Sequence, residues 1–440
     1  MRPTWNPELF AGNRARFFAG LGSDAALLFG APHVLRNGDA EFRYRQSSDV
    51  FYLTGWEDPE VAVLFRPGSE QPLTMFVQPR NPEMEIWTGR RYGPEGAMTR
   101  FGADQAFPYS ELAERLPDML QGYRNLHYRF AEDTDRDQLL ISALGKARRK
   151  ARKNGLCVPD AFVDPSRVLH ELRLYKQPME LELLQKAADL TADAHIAAMQ
   201  ATEPGVYEFE LESVIDHTFR RGGGMGPGYT SIVGGGRNAT VLHYIENSDA
   251  LEAGTLVCVD AGCEYGMYTA DVTRTWPVSG TFSEAQAAMY QVVLDAQEAA
   301  IAQASVGNTW RSIHQVACRA LTEGMVRIGL LDGDVDDLIA EEKFKRYYMH
   351  GTSHWLGLDV HDVGAYFQEG ESRVLEPGMV LTVEPGLYVP EDDAEAPEQF
   401  RGIGIRIEDD VLITESGNEV LTVAAPKTIA DIEALMAQRG

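Results

Sequence analysis

The chain has 440 residues and a formal net charge of −26, from 66 acidic and 40 basic side chains. Hydrophobic residues make up 44%, enough for a folded core, and charged residues make up 24%, which is ordinary for a globular protein. The acidic surplus argues against nucleic acid and anionic membranes as partners. The length predicts two or three domains.

The cysteines and the apolar segments indicate the compartment. There are four cysteines: Cys157, Cys258, Cys263 and Cys318. None has the spacing of a zinc knuckle or a redox dithiol, which predicts reduced thiols. The first ten residues lack the apolar region of a secretory signal, and no stretch approaches the roughly 20 apolar residues of a membrane span. We therefore expect a cytoplasmic enzyme without a membrane partner.

The first part of the chain, to about Leu172, mixes short strands and helices. GSDAALLFGA and PEVAVLFRP carry apolar runs of strand length, while ELAERLPDML and QLLISALGKARRKARKNG are helical in pattern. We interpret the basic cluster at 146–153 as a solvated helix face, since the chain as a whole is acidic. These elements predict a smaller α/β domain over 1–172.

A long helix is expected directly after the domain boundary. Pro178 can occupy the first helical position, and apolar residues keep helical spacing from Met179 to about Gln200. The second domain is therefore predicted over 173–440.

Two more helices and several strands follow in this domain. Ser283 and Gln286 fit a capping box at the start of a helix that runs to about Ser305, and a third helix is expected over 310–328. TLVCVDAG, MYTADVTRTWPV, GMVLTVEPG and RGIGIRIEDDVLIT resemble strands. Helices and hairpins interleave without strict βαβ alternation, which predicts an α+β fold with a mostly antiparallel sheet.

Asp260 and Asp271 are the first candidate site pair. Asp260 ends an apolar strand, and a two-residue turn at Tyr265 and Gly266 would place it directly opposite Asp271. Two facing carboxylates destabilise a sheet unless a cation lies between them. The alternative is that one of them is a turn residue and the two never meet.

Three histidines lie within twelve positions in HGTSHWLGLDVHDVG. His350 and His354 have the spacing of a zinc helix motif, but the motif's Glu is missing and two glycines argue against a helix. A strand or loop is expected instead. A bend near Gly357 would bring His354 and His361 toward one cleft.

Two further carboxylates are associated with strands. Glu384 closes an apolar strand, and Pro385 favours an extended conformation there. In IGIRIEDD, Arg406 and Glu408 share one face and the isoleucines the other. Taken alone, that pattern predicts the solvent face of a half-buried sheet.

Together these segments offer four carboxylates and one imidazole, with no thiolate. Such ligands suit Mn²⁺, Mg²⁺ or Co²⁺ better than structural zinc. Two metal ions that share carboxylates would activate one water between them. That chemistry is typical of amide or phosphate-ester hydrolysis.

The motifs DAG…D, HGxSHxLGxxVHD, VEPG and RIED, in this order, resemble the pita-bread metallopeptidases, peptidase family M24, and within them the bacterial aminopeptidase P group. The N-terminal segments FRYRQSSDVFYLTGWEDPE and EIWTGRRYGPEG also resemble that group. The resemblance implies a pita-bread catalytic domain over 173–440 and an aminopeptidase-P-type domain over 1–172 that serves oligomerisation and walls the cleft. It implies hydrolysis of the bond between an N-terminal residue and a following proline.

The resemblance also assigns each ligand residue to one or both of the two metal ions. It implies that Asp260 binds one ion, that His354 and Glu384 bind the other, and that Asp271 and Glu408 bridge the two. The nucleophile would be a water or hydroxide between the ions, with Glu384 as the general base. Mn²⁺ is expected foremost, with Co²⁺, Mg²⁺ and Zn²⁺ as alternatives.

Further catalytic residues follow from the same match. His361 and His243 match positions that contact the substrate or the tetrahedral intermediate, and His350 matches a position near the proline subsite. Arg406 matches a residue that orients the acidic ligands.

The match also implies substrate-side and subunit contacts. Tyr388 matches a residue that pairs with Arg406 beside the metals, and Arg373 matches an arginine that lines the active site. Trp87 reaches a neighbouring subunit's cleft, which implies a homotetramer.

Three alternatives share this fold. A prolidase, which cuts only Xaa-Pro dipeptides, has the same ligands. Creatinase-like amidinohydrolases have the two-domain layout without the ligand set. Some relatives are non-catalytic binding proteins, although the acidic charge opposes nucleic-acid binding here.

Overall fold

The computed structural model describes residues 6–438. The chain divides into two compact units, of which the smaller ends at Arg173 and the larger begins at Leu174. The first five residues, on which the expectation about a secretory signal partly rests, lie outside the described range. Within residues 6–438, no helix has the length and apolar character needed to cross a bilayer.

The smaller unit is built around a mixed sheet. Its helices are α1 (Pro7–Leu21), α2 (Ser48–Thr54), α3 (Pro82–Thr88), α4 (Gly93–Thr99), α5 (Leu112–Met119), α6 (Thr134–Asn154) and α7 (Ser166–Leu174). Its strands are β1 (Ala25–Phe29), β2 (Leu35–Asn37), β3 (Ala40–Glu41), β4 (Ala62–Phe65), β5 (Leu73–Val77), β6 (Gln105–Pro108), β7 (Asn125–His127) and β8 (Ala161–Val163). The sheet order is β6-β5-β4-β1-β7-β8, parallel except for the β1–β4 and β4–β5 pairs.

The apolar runs identified in the sequence form the centre of this sheet. Ala25, Leu27, Ala62 and Leu64 on β1 and β4 are buried and pack with residues of α5 and α6. The predicted strands and helices of the first 172 residues are therefore confirmed at these four elements.

The larger unit carries the remaining helices. They are α8 (Pro178–Ala201), α9 (Glu208–Arg221), α10 (Glu284–Gln303), α11 (Trp310–Arg327), α12 (Val335–Ala340) and α13 (Ile429–Met436). Pro178 begins α8 as predicted, and the capping box of Ser283 and Gln286 is present at the start of α10. The three predicted helices agree with α8, α10 and α11 to within two residues at each end.

The strands of the larger unit form small antiparallel sheets. They are β9 (Gly226–Pro227), β10 (Ile232–Gly235), β11 (Leu256–Asp260), β12 (Cys263–Tyr265), β13 (Tyr268–Thr269), β14 (Thr273–Pro277), β15 (Phe367–Gln368), β16 (Glu371–Ser372), β17 (Val380–Val383), β18 (Gly386–Val389), β19 (Ile403–Arg406), β20 (Asp409–Thr414) and β21 (Gly417–Val420). The sheets are β10-β11-β14, β13-β12-β9, β17-β20-β21, β18-β19 and β15-β16. The expected α+β architecture is confirmed.

The predicted hairpin turn at Tyr265 and Gly266 is wrong. Tyr265 pairs with Tyr268, and the turn residues are Gly266 and Met267, with φ of 59° and 65°. A two-residue turn of this kind needs positive φ at both central positions, and glycine accepts the first far more readily than an aromatic residue does. The register consequently moves by two residues, and Asp260 lies opposite Thr273.

Candidate active site

A cavity of about 400 Å³ in the larger unit brings together most of the predicted site residues. The five expected metal ligands line it: Asp260, Asp271, His354, Glu384 and Glu408. Four more predicted residues line it as well: His243, His350, His361 and Arg406. Apolar side chains complete the wall: Ile232, Leu242, Ile245 and Val360.

Asp260 and Asp271 meet even though they do not face each other in register. Asp260 is the last residue of β11, and its partner on β14 is Thr273. Asp271 lies two residues before Thr273. Alternation along a strand puts residues two apart on the same face, so the two carboxylates are diagonal neighbours. The hydroxyl oxygen of Tyr229 lies 2.6 Å from Oδ1 of Asp260 and also contacts Oδ1 of Asp271. Burial and these two carboxylates raise the pKa of Tyr229, so its phenol stays a hydrogen-bond donor.

Glu408 and Arg406 form another part of the cavity wall. The predicted solvent face is wrong, because both side chains are buried and line the cavity. The hydroxyl of Thr273 donates to Oε2 of Glu408 at 2.6 Å and accepts from Nε of Arg406 at 3.0 Å. Nη2 of Arg406 donates to Oδ2 of Asp260 at 2.7 Å. One guanidinium therefore orients two of the candidate ligands, one directly and one through a threonine.

His354 lies in an irregular segment, as the two glycines predicted. Its backbone pairs with that of Thr382 on β17, through a bond from the N–H of Thr382 to the carbonyl oxygen of His354 at 3.0 Å. Nδ1 of His354 lies 3.1 Å from the carbonyl oxygen of Trp355, which places the ring proton on Nδ1. Nε2 is left facing Oδ2 of Asp271 at 3.3 Å and Oε1 of Glu384 at 3.7 Å.

The electrostatics of this cluster fit a divalent cation. Burial and the charge of Asp260 raise the pKa of Asp271, and burial with the charge of Asp271 raises that of Glu408. Burial also raises the pKa of Glu384 to about 7. Burial lowers the pKa of His354, but Asp271 and Glu384 outweigh it and raise that pKa to about 9. Like charges crowded in a buried site would all be relieved by a cation among them.

The donor atoms are close enough for such an ion. One ligand atom from each of Asp271, His354 and Glu408 lies within 4.8 Å of the other two. The set is rich in carboxylate oxygen with one imidazole, which suits a hard or borderline divalent metal. The residues present therefore fit the implied cofactor.

His350 connects to this cluster through Tyr388. Nη1 of Arg406 donates to the hydroxyl oxygen of Tyr388 at 3.1 Å, and that hydroxyl lies 2.8 Å from Nε2 of His350. Nδ1 of His350 lies 2.7 Å from the carbonyl oxygen of Gly351 and donates to it. Burial and Arg406 lower the pKa of His350 to about 4. A neutral His350 imidazole that accepts from the Tyr388 hydroxyl gives a partner to each group in this series of hydrogen bonds.

His361 approaches from the far end of the glycine-containing segment. The ring centroids of His354 and His361 are 4.4 Å apart at an angle of 78°. Burial and the two neighbouring imidazoles, His354 and His243, lower the pKa of His361. The bend expected near Gly357 therefore does bring both rings to one cavity.

Three predicted residues lie elsewhere. Tyr388 is buried behind His350. Among the described residues that line the cavity, neither Tyr388 nor Arg373 is present. The guanidinium of Arg373 donates to the hydroxyl of Tyr175 at 3.0 Å and to the carbonyl of Ala365 at 3.4 Å. Trp87 lies on α3 of the smaller unit and is 84% exposed.

Sequence reasoning missed two residues that hold the ligands. Tyr229 precedes β10 in a glycine-rich segment, where no periodicity indicates which way a side chain points. Thr273 stands two positions beyond Asp271, and the two-residue alternation of the strand placed it on the same face. Correct hairpin register would have identified Thr273, whereas Tyr229 required the tertiary structure.

A buried cluster of carboxylates with one imidazole, ringed by further histidines in a cleft, is the site of a metal-dependent hydrolase. The chain belongs to metallopeptidase family M24, which matches residues 182–415, and residues 10–128 match the family of the aminopeptidase P N-terminal domain. The larger unit thus has the pita-bread fold that the motifs implied.

Individual relatives agree with this assignment. The Xaa-Pro aminopeptidase of Escherichia coli is 46% identical over 414 residues, which cover 94% of this chain and 93% of that protein. The structure of the Pseudomonas aeruginosa aminopeptidase PepP superposes with a TM-score of 0.96 at 45% identity, covering 98% of each chain. Zinc-substituted Escherichia coli aminopeptidase P in complex with product gives a TM-score of 0.95 at 43% identity, covering 100% of each chain.

Proposed function

We propose that this chain is an Xaa-Pro aminopeptidase, which hydrolyses the bond between an N-terminal residue and a following proline. The observation that carries the proposal is the convergence of five ligand residues and three further histidines on one cavity of about 400 Å³. The relatives at 46% and 45% identity supply the substrate class, since they are named as an Xaa-Pro aminopeptidase and an aminopeptidase.

The cofactor is proposed to be a pair of divalent ions, with Mn²⁺ as the native metal. Asp260 would hold one ion, His354 and Glu384 the other, and Asp271 and Glu408 both. The crowding of these carboxylates supports a dinuclear site, because a single ion would leave several buried like charges poorly compensated. Hard oxygen ligands with one imidazole support Mn²⁺ over a structural zinc ion.

The chemistry is divided between the cofactor and the side chains. Bound ions supply Lewis acidity and a more acidic water at neutral pH. Glu384, whose carboxylate lines the cavity beside the proposed ions, takes the proton of the attacking water. It then passes that proton to the proline nitrogen as the scissile bond breaks.

Three imidazoles surround the reacting carbonyl in this proposal. His361 and His243 donate N–H groups to the oxygen that becomes negative during attack, which stabilises a charge absent from the ground state. Burial lowers the pKa of His361, so its ring enters the reaction as a neutral donor. His350, held by Tyr388, lies on the side of the cavity proposed for proline.

Peptide length decides between this activity and that of a prolidase. The purified, Mn²⁺-loaded protein should cleave an Xaa-Pro-Xaa tripeptide and leave the matched Xaa-Ala-Xaa tripeptide intact. Turnover of Xaa-Pro dipeptides alone would make the chain a dipeptidase instead. Glu384→Gln should lower kcat by about 10²- to 10⁴-fold, the range for loss of a general base.

We also propose a cytoplasmic homotetramer with an aminopeptidase-P-type domain over 1–172 and the catalytic domain over 173–440. The exposed indole of Trp87 supports a contact with a second copy, because a side chain this large is seldom left in water. The four cysteines are free, which fits a reducing compartment. Sedimentation of the wild-type chain and of Trp87→Ala tests the assembly.

A further inference from the structure

A buried ion pair lies beside the cavity and has no role in the mechanism above. Nζ of Lys176 lies 3.1 Å from Oδ2 of Asp362, and each side chain is 1% exposed. Neither residue belongs to the described lining of the cavity. Lys176 stands between α7 and α8, far away in sequence from its partner.

The aspartate closes the loop that carries two of the site's histidines. The N–H of Asp362 donates to the carbonyl oxygen of Trp355 at 2.8 Å. His354 directly precedes the acceptor residue, and His361 directly precedes the donor residue. The hydrogen bond therefore fixes both ends of the loop, next to two rings whose centroids are 4.4 Å apart.

The lysine is itself anchored to the sheet that supports Glu384. The N–H of Lys176 donates to the carbonyl oxygen of Gly378 at 2.8 Å, and the N–H of Gly378 donates to that of Ile413 at 2.9 Å. Gly378 lies two residues before β17, the strand that leads to Glu384. The backbone of Lys176 is thus fixed to the ligand-bearing strands, and its side chain reaches from there to Asp362.

The loop is folded tightly over the ion pair. A Cβ at Gly357 would lie 2.2 Å from Oδ2 of Asp362 and 2.9 Å from Cε of Lys176, so only glycine fits there. The carbonyl oxygen of Gly357 accepts from the N–H of Thr269 at 2.9 Å, which fixes the top of the loop. The carboxylate therefore has little room to move while the lysine is in place.

Burial of two charges is a poor way to gain stability, since apolar residues of similar volume do as well or better. A buried pair does impose one geometry on the groups that it joins. Building on the proposed function, we propose that Lys176 is a positioning residue that acts through Asp362. It sets the place of the His361 imidazole against His354 and the reacting carbonyl.

A double-mutant cycle on the full-length, Mn²⁺-loaded protein tests this role. Lys176→Met is assayed on the Xaa-Pro-Xaa tripeptide in the wild-type and the His361→Ala backgrounds. We expect kcat to fall about 10- to 100-fold with a smaller change in KM, as for a displaced reacting group. In the His361→Ala background the same substitution should cause no further loss, because residues acting as a unit are not additive.

Two further variants and one stability control guard against misfolding. Asp362→Asn keeps the shape of the side chain, and Gly357→Ala displaces the carboxylate without removing a charge; both should reproduce the cycle. Leu321→Ala, a buried change in α11 away from the cavity, is the stability control, and any loss it causes should be equal in both backgrounds.

The outcomes separate this role from general support of the fold. Equal losses for Lys176→Met in both backgrounds, or none in wild type, would overturn the proposal. A wild-type protein inactive on the tripeptide would contradict the proposed function instead. In that event the crystal structure of Lys176→Met still decides: a displaced His361 ring supports positioning, and an unmoved ring refutes it.

Discussion

Thr273→Val isolates the hydroxyl that joins Arg406 to Glu408. The substitution keeps the shape and burial of the side chain but leaves Oε2 of Glu408 and Nε of Arg406 without this partner. An unsatisfied buried polar group costs about 1–3 kcal/mol, so the two together should lower the unfolding free energy by about 2–6 kcal/mol. We also expect metal affinity to fall about 10- to 100-fold, as for other changes behind a metal ligand.

Thr275→Val is the matched control on the same strand. Thr275 is equally buried, but its hydroxyl donates to the carbonyl oxygen of Arg406 at 3.0 Å and accepts from the backbone N–H at 3.2 Å. It should cost a similar amount of stability for the same physical reason. It should leave metal affinity almost unchanged, because neither bond reaches a ligand side chain.

Three measurements on both variants decide the matter. Urea unfolding gives the stability loss, calorimetric Mn²⁺ titration gives the affinity, and tripeptide turnover gives kcat/KM. Equal losses of affinity in the two variants would refute the idea that the Thr273 hydroxyl orients Glu408. Full affinity in Thr273→Val would refute it as well.

Three other predictions concern the metal cofactor, the buried His195, and Tyr388, which holds His350. Removal of divalent ions with a chelator should abolish turnover and lower Tm, and added Mn²⁺ should restore both, because the crowded carboxylates repel one another without cations; activity that survives chelation would contradict the metal site. Burial and Arg274 lower the pKa of His195 to about 4, so the folded state keeps it neutral while the unfolded chain takes a proton below about pH 6.5. Stability should therefore fall from pH 7.5 to pH 5.5, with about 1 kcal/mol due to this residue. In urea unfolding, His195→Gln should lose that part of the dependence of unfolding free energy on pH. An unchanged pH dependence would show that other groups cause the fall. Tyr388→Phe removes the hydroxyl between Arg406 and His350 and should lower kcat/KM about tenfold or more; a control at Tyr290, whose hydroxyl bonds to the Lys427 carbonyl, should retain activity as Phe.

The sequence predictions were correct for features that depend only on neighbouring residues, such as helix starts and strand ends. The start of α8 at Pro178 and the capping box at Ser283 depend on a few neighbouring residues, and both are present in the structure. Glu384 could be placed at a strand end because a proline follows it. The family motifs then joined these separate segments into one site, which spacing alone did not do.

Long-range packing decided the features that spacing left open. Arg406 and Glu408 alternate with isoleucines, which is the pattern of a half-exposed sheet, yet the structure buries both faces. Side chains from distant segments, among them Asp260, Asp271 and Tyr229, convert that second face into a cavity lining. No periodicity within one strand contains that information.

The hairpin between β11 and β14 shows why an incorrect register still gave a correct pair. The observed turn at Gly266 and Met267 moves the pairing by two residues from the predicted one. Because strand side chains alternate with a period of two, such a shift leaves Asp271 on the same face as Asp260 and makes the pair diagonal. A shift of one residue would have sent Asp271 to the opposite face. The diagonal arrangement also gives the directly opposed position to Thr273, whose hydroxyl holds Glu408. The register therefore places two carboxylates and the anchor of a third on one surface.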